Sequence, residues 1–121
     1  MRLKFLIAAA ILVGGAMPTA ARADVDFMSA ESLAPGCRDI LEEGHSTSEF
    51  VQGLCAGEVS ATWTVLQEMN QVCSPAQASA NDALIVVLNY ALNLPNRRND
   101  RFAILVVEAL RKAWSCDSVN G

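Results

Sequence analysis

The sequence predicts an all-α protein, a small disulfide-braced bundle of about four helices. Apolar residues recur at helical spacing in its longer segments, and no stretch of useful length shows the alternation of a strand. Four cysteines, Cys37, Cys55, Cys73 and Cys116, follow an N-terminal export pattern. An even number of cysteines in a short exported chain is typical of a disulfide framework, because an oxidising compartment lets such bonds persist.

Residues 1–23 have the composition of a secretory signal peptide: two leading cations, an apolar run, and a small-x-small site that ends at Ala23. We expect cleavage near Ala23/Asp24 and a single helical domain over residues 24–121. The apolar run is shorter than the roughly 20 residues that cross a bilayer, and no later stretch approaches that length. The mature chain is therefore expected to have no membrane span.

Charge narrows the class of partner. Loss of residues 1–23 leaves 98 of the 121 residues, with six Lys and Arg against 13 Asp and Glu, a formal charge of −7. Nucleic acid is disfavoured as a partner, because phosphate binding needs a cationic surface. The chain has no CxxC motif and one histidine, His45, so neither a zinc site nor another cofactor is expected.

The first helical segment is expected to be interrupted. Ser29 should cap a helix that runs through Leu33 and that Pro35-Gly36 ends or kinks. One or two further turns are expected over residues 37–41, followed by a connection over residues 42–45.

The second segment has the clearest helical pattern. Ser46 or Thr47 is expected to open it, through a capping box that Glu49 completes, and the helix should run to about Gln71. Its predicted inward stripe consists of Phe50, Leu54, Ala61, Val65 and Met69, widened by Cys55, Val59, Thr62 and Leu66.

Two glycines, Gly53 and Gly57, lie one turn apart on this helix. Each costs about 1 kcal/mol relative to alanine in a helix interior. The pair therefore predicts that another helix backbone passes close by.

The third helix is expected to begin after Ser79, which forms a capping-box pattern with Asp82, and to cover Ala80 to about Asn93. Its apolar positions cover more than one side, since Ile85 and Val86 lie outside the main stripe. Such a helix either forms a homodimer contact or lies at the centre of a monomeric bundle, and the pattern leaves both open.

The polar loop that follows is the main candidate for a partner-binding surface. It contains Asn96, Arg97, Arg98, Asn99 and Arg101. Arginine forms bidentate hydrogen bonds with carboxylates. Three arginines close together on an otherwise acidic chain are therefore suited to binding a protein partner. The alternative is a solvated connection between helices. The acidic stretch from Asp39 to Glu49 is a second candidate.

Asn99 or Asp100 is expected to cap the final helix, which should run through Trp114. Its predicted inward stripe consists of Phe102, Val106, Ala109, Leu110 and Ala113.

Four cysteines allow three connectivities, which sequence alone does not distinguish. In an up-and-down bundle, Cys37 and Cys55 lie at comparable heights on either side of a reversal near His45. Cys73 precedes the third helix and Cys116 follows the fourth, so antiparallel packing brings these ends together. Because a disulfide needs a short Cα separation, we predict Cys37 with Cys55 and Cys73 with Cys116.

No catalytic constellation is evident. His45 sits in a connection beside Ser46 and Ser48, which is typical of turns and helix caps rather than of a hydrolase triad. With the cysteines assigned to disulfides, no nucleophile with a base remains, and the chain is predicted to be non-enzymatic.

Five short motifs run along the chain in a characteristic order. They are Leu54-Cys55-Ala56-Gly57, Val72-Cys73-Ser74-Pro75, Ser79 at a helix cap, the stretch from Tyr90 to Pro95, and the stretch from Ala109 to Cys116. In this order they resemble the Rap/Tai family, periplasmic immunity proteins that neutralise peptidoglycan amidase effectors delivered by type VI secretion. The chain departs from the family pattern at Glu58, Ala61 and Trp114-Ser115.

The resemblance implies an all-helical periplasmic homodimer that blocks a secreted cell-wall amidase by inserting surface loops into its catalytic cleft. The matching positions belong to the scaffold rather than to a target-reading surface. Two other functions therefore stay open: a small periplasmic stress or chaperone-like protein that binds clients through apolar faces such as Ile85 and Val86, and an interaction module of an envelope complex.

Overall fold

The computed structural model describes Gly14 and residues 26–119, and in this part of the chain it contains helices and no strand. The helices are α1 (Ala30–Glu42), α2 (Glu49–Glu68), α3 (Ala80–Leu92) and α4 (Phe102–Ala113). Short 3-10 turns cover Pro95–Arg97 and Cys116–Val119. The predicted all-α bundle is confirmed. The predicted signal peptide over residues 1–23 lies outside the described residues, apart from Gly14.

All four helices contribute to one core. Its fully buried side chains include Leu33 of α1, Val59 of α2 and Val87 of α3. From α4, the buried residues are Phe102, Leu105, Val106, Ala109 and Leu110. The predicted inward face of α4 is thus correct except at Ala113, which is exposed in the last turn.

α1 is one continuous helix, and the predicted break at Pro35-Gly36 is wrong. Ser29 caps it as predicted, with its Oγ accepting the amide of Ser32 at 3.2 Å. Proline in a helix interior removes a backbone hydrogen bond and costs about 3 kcal/mol. The helix continues because Leu33 and Cys37 on either side are buried in the core, and burying a large apolar side chain stabilises by roughly 1.5–3 kcal/mol.

α2 begins at Glu49, one residue later than a cap at Thr47 would place it and two later than a cap at Ser46. Ser48 is the cap, since its Oγ accepts the amide of Val51 at 3.2 Å. Ser46 and Thr47 instead donate to Asp39 of α1, from the Ser46 hydroxyl at 2.7 Å and from the Thr47 amide at 2.6 Å. The predicted capping box is therefore wrong. Both candidate caps, Ser46 and Thr47, instead donate hydrogen bonds to the Asp39 carboxylate, seven and eight residues earlier in the chain.

α2 also presents a different face to the core from the one predicted. Phe50, Val65 and Met69 keep 70%, 54% and 60% of their surface exposed. The buried residues are Cys55, Val59 and Leu66, which the sequence predicted only to widen the stripe. Apolar residues cover so much of this helix that periodicity does not specify its rotation. The rotation is set by the disulfide that joins Cys55 to Cys37 of α1.

The close contact between helix backbones lies at Gly36, so the prediction for Gly53 and Gly57 is wrong. A Cβ on Gly36 would lie 2.7 Å from the carbonyl oxygen of Val51 in α2. Among the described residues, a Cβ on Gly53 or Gly57 would have nothing within 4 Å, because both glycines lie on the exposed side of α2.

α2 ends at Glu68, short of the predicted Gln71.

α3 begins as predicted, with a complete capping box. The Asp82 amide donates to Ser79 Oγ at 3.2 Å, and the Ser79 amide donates to the Asp82 carboxylate at 2.8 Å. This cap lies within four residues, so sequence could specify it.

α4 begins without a side-chain cap, and the predicted cap at Asn99 or Asp100 is wrong. Arg101 precedes the helix, and the amide of Phe102 donates to the carbonyl of Met28 at 2.7 Å. A backbone group distant in sequence therefore satisfies the start of α4, which local capping rules do not detect.

The structure pairs Cys37 with Cys55 and Cys73 with Cys116, the connectivity that the sequence analysis predicted. The Cα atoms are 5.5 Å and 4.7 Å apart, within the usual range for disulfides. The first pair joins α1 to α2 inside the core, where both cysteines have 0% exposure. The second joins the α2–α3 connection to the segment after α4.

Candidate partner-binding surface

Backbone hydrogen bonds hold the loop at residues 96–101 to the start of α1. The amide of Ala30 donates to the carbonyl of Asp100 at 2.9 Å, and that of Glu31 donates to the carbonyl of Arg98 at 2.8 Å. The first amides of an α-helix have no acceptor within the helix, so the loop carbonyls satisfy those of α1. The loop therefore has a fixed position on the bundle.

Arg97 ties this loop to α4. Its Nε donates to the Asp100 carboxylate at 2.7 Å. Its two Nη groups donate to the two carboxylate oxygens of Glu108, one of them at 3.1 Å. The hydroxyl of Tyr90 in α3 donates to the same Glu108 at 3.0 Å. Bidentate pairs of this kind combine strength with fixed geometry, so loop, α3 and α4 form one unit here.

These hydrogen bonds shift the pKa values of the groups that make them. The Arg97 guanidinium holds the pKa of Glu108 below its ordinary value. Burial, reinforced by the hydrogen bond to Glu108, raises the pKa of Tyr90. Glu108 and Asp100 together raise the pKa of Arg97. These shifts favour a charged Arg97, an ionised Glu108 and a neutral Tyr90 phenol near neutral pH.

Arg97 is thus engaged within the molecule, while the other predicted loop residues are exposed. These are Asn96, Arg98, Asn99 and Arg101. Within the described ranges neither Arg98 nor Arg101 forms an ion pair. The cations that this loop offers to a partner are therefore two rather than three.

The second candidate, the acidic stretch from Asp39 to Glu49, divides into a buried and an exposed part. Asp39 is 4% exposed and accepts three hydrogen bonds from Ser46 and Thr47. The bond from the Thr47 hydroxyl contributes most to lowering the pKa of this carboxyl. Asp39 therefore holds the α1–α2 connection. The exposed acidic residues of the stretch are Glu42, Glu43 and Glu49.

Ile85 and Val86 lie on the outer side of α3. Ile85 is 45% exposed, and Val86 is partly buried against the core. Both line a shallow groove of about 410 Å³ beside Trp114.

Sequence reasoning missed a larger set of exposed apolar side chains. They belong to α2, the residue after it, and α4, and they are Phe50, Val65, Met69 and Ile104. Their periodicity resembles that of a core stripe, so the sequence carried no signal that the α2 residues face outward.

The described side chains show no cluster suited to a metal ion. No group of three or more His, Cys, Asp or Glu is placed to hold a metal within residues 26–119. The hydroxyl of Ser46, beside the exposed His45, donates to Asp39. In the same part of the chain, no helix has the length and apolar character needed to cross a membrane.

Comparison with known proteins identifies a family for this chain. A family model described as Rap1a immunity proteins matches residues 29–116. No curated protein and no solved structure matches the chain. The matched segment begins at the cap of α1 and ends at Cys116, so it contains all four helices and both cysteine pairs. The chain therefore belongs to the Rap1a immunity protein family, whose members bind and inhibit an effector protein and are not enzymes.

Proposed function

We propose that this protein is exported to the periplasm, where it binds a peptidoglycan amidase effector and covers its active site. The observation that carries the proposal is the family match over residues 29–116. The signal-like pattern of residues 1–23 supports export, as do two cysteine pairs of a kind that an oxidising compartment maintains. The motifs shared with the Rap/Tai family favour an amidase as the target.

We assign effector contact to the loop at residues 96–101. Its backbone is already fixed by α1, and the Arg97 side chain by Glu108, so binding loses little conformational entropy. Arg98 and Arg101 are exposed and can fork onto carboxylates of the effector.

We also propose that two copies associate through α3, with Ile85 and Val86 in the contact. The partial exposure of Ile85 on a helix that is apolar on more than one side supports this assignment. Sedimentation analysis should show a dimer that Ile85→Glu dissociates. Ile104→Glu, at a similarly exposed position on α4, is the matched control and should leave the dimer intact.

Protection of cells tests the main proposal. Peptidoglycan amidase effectors are directed to the periplasm together with the full chain, or with a version that lacks residues 1–23. We expect the full chain to prevent lysis and the truncated version to fail. Lysis by every such amidase despite the full chain, with no complex on co-purification, would overturn the proposal.

A chaperone-like protein is the second candidate function, and an envelope interaction module is a third. The exposed apolar side chains of α2, such as Phe50 and Val65, favour the chaperone-like role. It predicts weak binding to many unfolded clients. One partner bound with a Kd of about 1 nM, equivalent to roughly 12 kcal/mol, would exclude it.

A further inference from the structure

A short apolar groove lies between α1 and α3, directly beside the loop. Its volume is about 240 Å³. Small or rigid apolar residues line it, namely Ala30, Ala34, Pro35, Ala91 and Pro95, together with Leu92. Leu92 is 52% exposed, so it forms one open side of the groove.

The charged residues that line the groove are Glu31, Arg38 and Arg98. Two cations against one anion make this a positive site on a chain whose formal charge is −4. Neither guanidinium forms an ion pair within the part of the chain that the structure describes. Glu31 partly offsets them, and one net positive charge remains.

The groove is rigid on the side of the loop. The carbonyl of Arg98 accepts the amide of Glu31 at 2.8 Å, which joins the loop to the first turn of α1. Pro35 and Pro95 restrict the backbone on both sides. The positions from which Arg38 and Arg98 extend are therefore set before any partner binds.

We infer that this groove binds a segment of the partner in which one apolar side chain lies next to a carboxylate. The inference rests on the proposed function, because the partner is the effector named there. The groove is smaller than the roughly 300–1,000 Å³ of small-molecule sites, so it suits a single side chain better than a cofactor. An apolar anchor in a pocket with charges at its rim is the usual arrangement of an interface hot spot.

The first test uses two blocked peptides and the isotopically labelled protein, purified after the full chain has been expressed and exported. Acetyl-Gly-Asp-Phe-Asp-Gly-amide should shift the amide NMR signals of the non-proline residues in the ranges 30–38 and 91–98. The peptide in which both Asp are replaced by Lys should leave these signals unchanged, because Arg38 and Arg98 repel its lysines. No shift with the acidic peptide, or shifts confined to other residues, would overturn the inference.

The second test reverses the charges of the groove. Arg38→Glu/Arg98→Glu should weaken binding of the acidic peptide, and of an amidase that the chain protects against, by about tenfold or more. The matched control is Arg111→Glu/Lys112→Glu, which makes the same charge change at exposed positions of α4 outside the groove. Equal weakening by both variants would indicate a general charge effect and would reject the groove.

A third variant keeps every charge. Ala34→Phe places a large side chain in the groove and should weaken binding as well. Circular dichroism would confirm that this variant retains the fold. If an amidase binds and both groove variants bind it normally, the inference fails, and so does the assignment of effector contact to Arg98, while the proposed binding of an amidase stands. If the acidic peptide binds in the groove but no amidase binds, the groove chemistry stands and the proposed target fails.

Discussion

The Cβ that an alanine would place at Gly36 lies 2.7 Å from the backbone carbonyl oxygen of Val51. Two helix backbones therefore meet at this point, one residue from the buried Cys37–Cys55 link. Gly36→Ala gains about 1 kcal/mol of helix propensity, but it forces α1 and α2 apart at a cost of about 1–3 kcal/mol. We expect a lower free energy of unfolding in urea titration.

Gly53→Ala and Gly57→Ala are the matched controls for this prediction. A Cβ at either position meets no atom of residues 26–119 within 4 Å. Each change should therefore raise the free energy of unfolding by about 1 kcal/mol. A Gly36→Ala protein as stable as these two would contradict the close approach of α1 and α2.

The rotation of α2 is testable at two valines. Val59 is 1% exposed and Val65 is 54% exposed. Val59→Ala should lower the free energy of unfolding by about 2 kcal/mol, since it removes buried methyl groups and leaves a cavity. Val65→Ala should change it by about 0.5 kcal/mol or less. The reverse order in urea titration would restore the face that the sequence predicted.

Asp39 should make stability depend on pH below its ordinary pKa. The hydrogen bonds from Thr47 and Ser46 lower the pKa of this carboxyl from 3.8. The stability that ionised Asp39 contributes is therefore fully present above pH 3.8, and it is lost as the pH falls through the lower pKa of the folded state. Asp39→Asn should lower the Tm at pH 7, and the difference from the parent protein should shrink in strong acid.

The control for Asp39 is Glu42→Gln, which removes an exposed carboxylate from the end of the same helix. It should leave the Tm almost unchanged at pH 7. A Tm difference between Asp39→Asn and the parent protein that stayed constant from pH 7 into strong acid would contradict the role of the ionised Asp39.

Arg97 is expected to position the loop rather than to contact the effector. Arg97→Ala removes the bonds to Glu108 and Asp100, so the loop carbonyls should be held less firmly on α1. Hydrogen exchange at the amides of Ala30 and Glu31 should then become faster. Arg98→Ala keeps those bonds and should leave this exchange unchanged. Equal exchange in both variants would show that Arg97 does not hold the loop.

The two disulfides should differ in their resistance to reduction. Cys37 and Cys55 have 0% exposure, whereas Cys73 and Cys116 are partly exposed. A thiolate must reach a sulfur atom to attack it, so mild reduction of the native protein should open the second pair first. Alkylation and peptide mapping would identify the labelled cysteines. Early labelling of Cys37 would contradict the burial of that pair.

Features that depend on neighbouring residues or on overall composition could be predicted from the amino-acid sequence alone. Helical periodicity predicted the all-α class, and the Ser79–Asp82 capping box was legible because its partners lie three residues apart. The disulfide connectivity could also be predicted, because antiparallel packing leaves few cysteines at matching heights. The motifs around these cysteines pointed to the family that the match over residues 29–116 shows.

Three features depend on how the helices pack: the buried face of α2, the continuation of α1 through Pro35, and the pairing of Arg97 with Glu108. Each depends on groups brought together from different helices, and residue pattern carries little information about such contacts. Burial of Leu33 and Cys37 outweighs the local effect of proline, and a carboxylate on α4 decides the role of an arginine in the loop. Packing and long-range hydrogen bonds therefore set the surface that a partner meets.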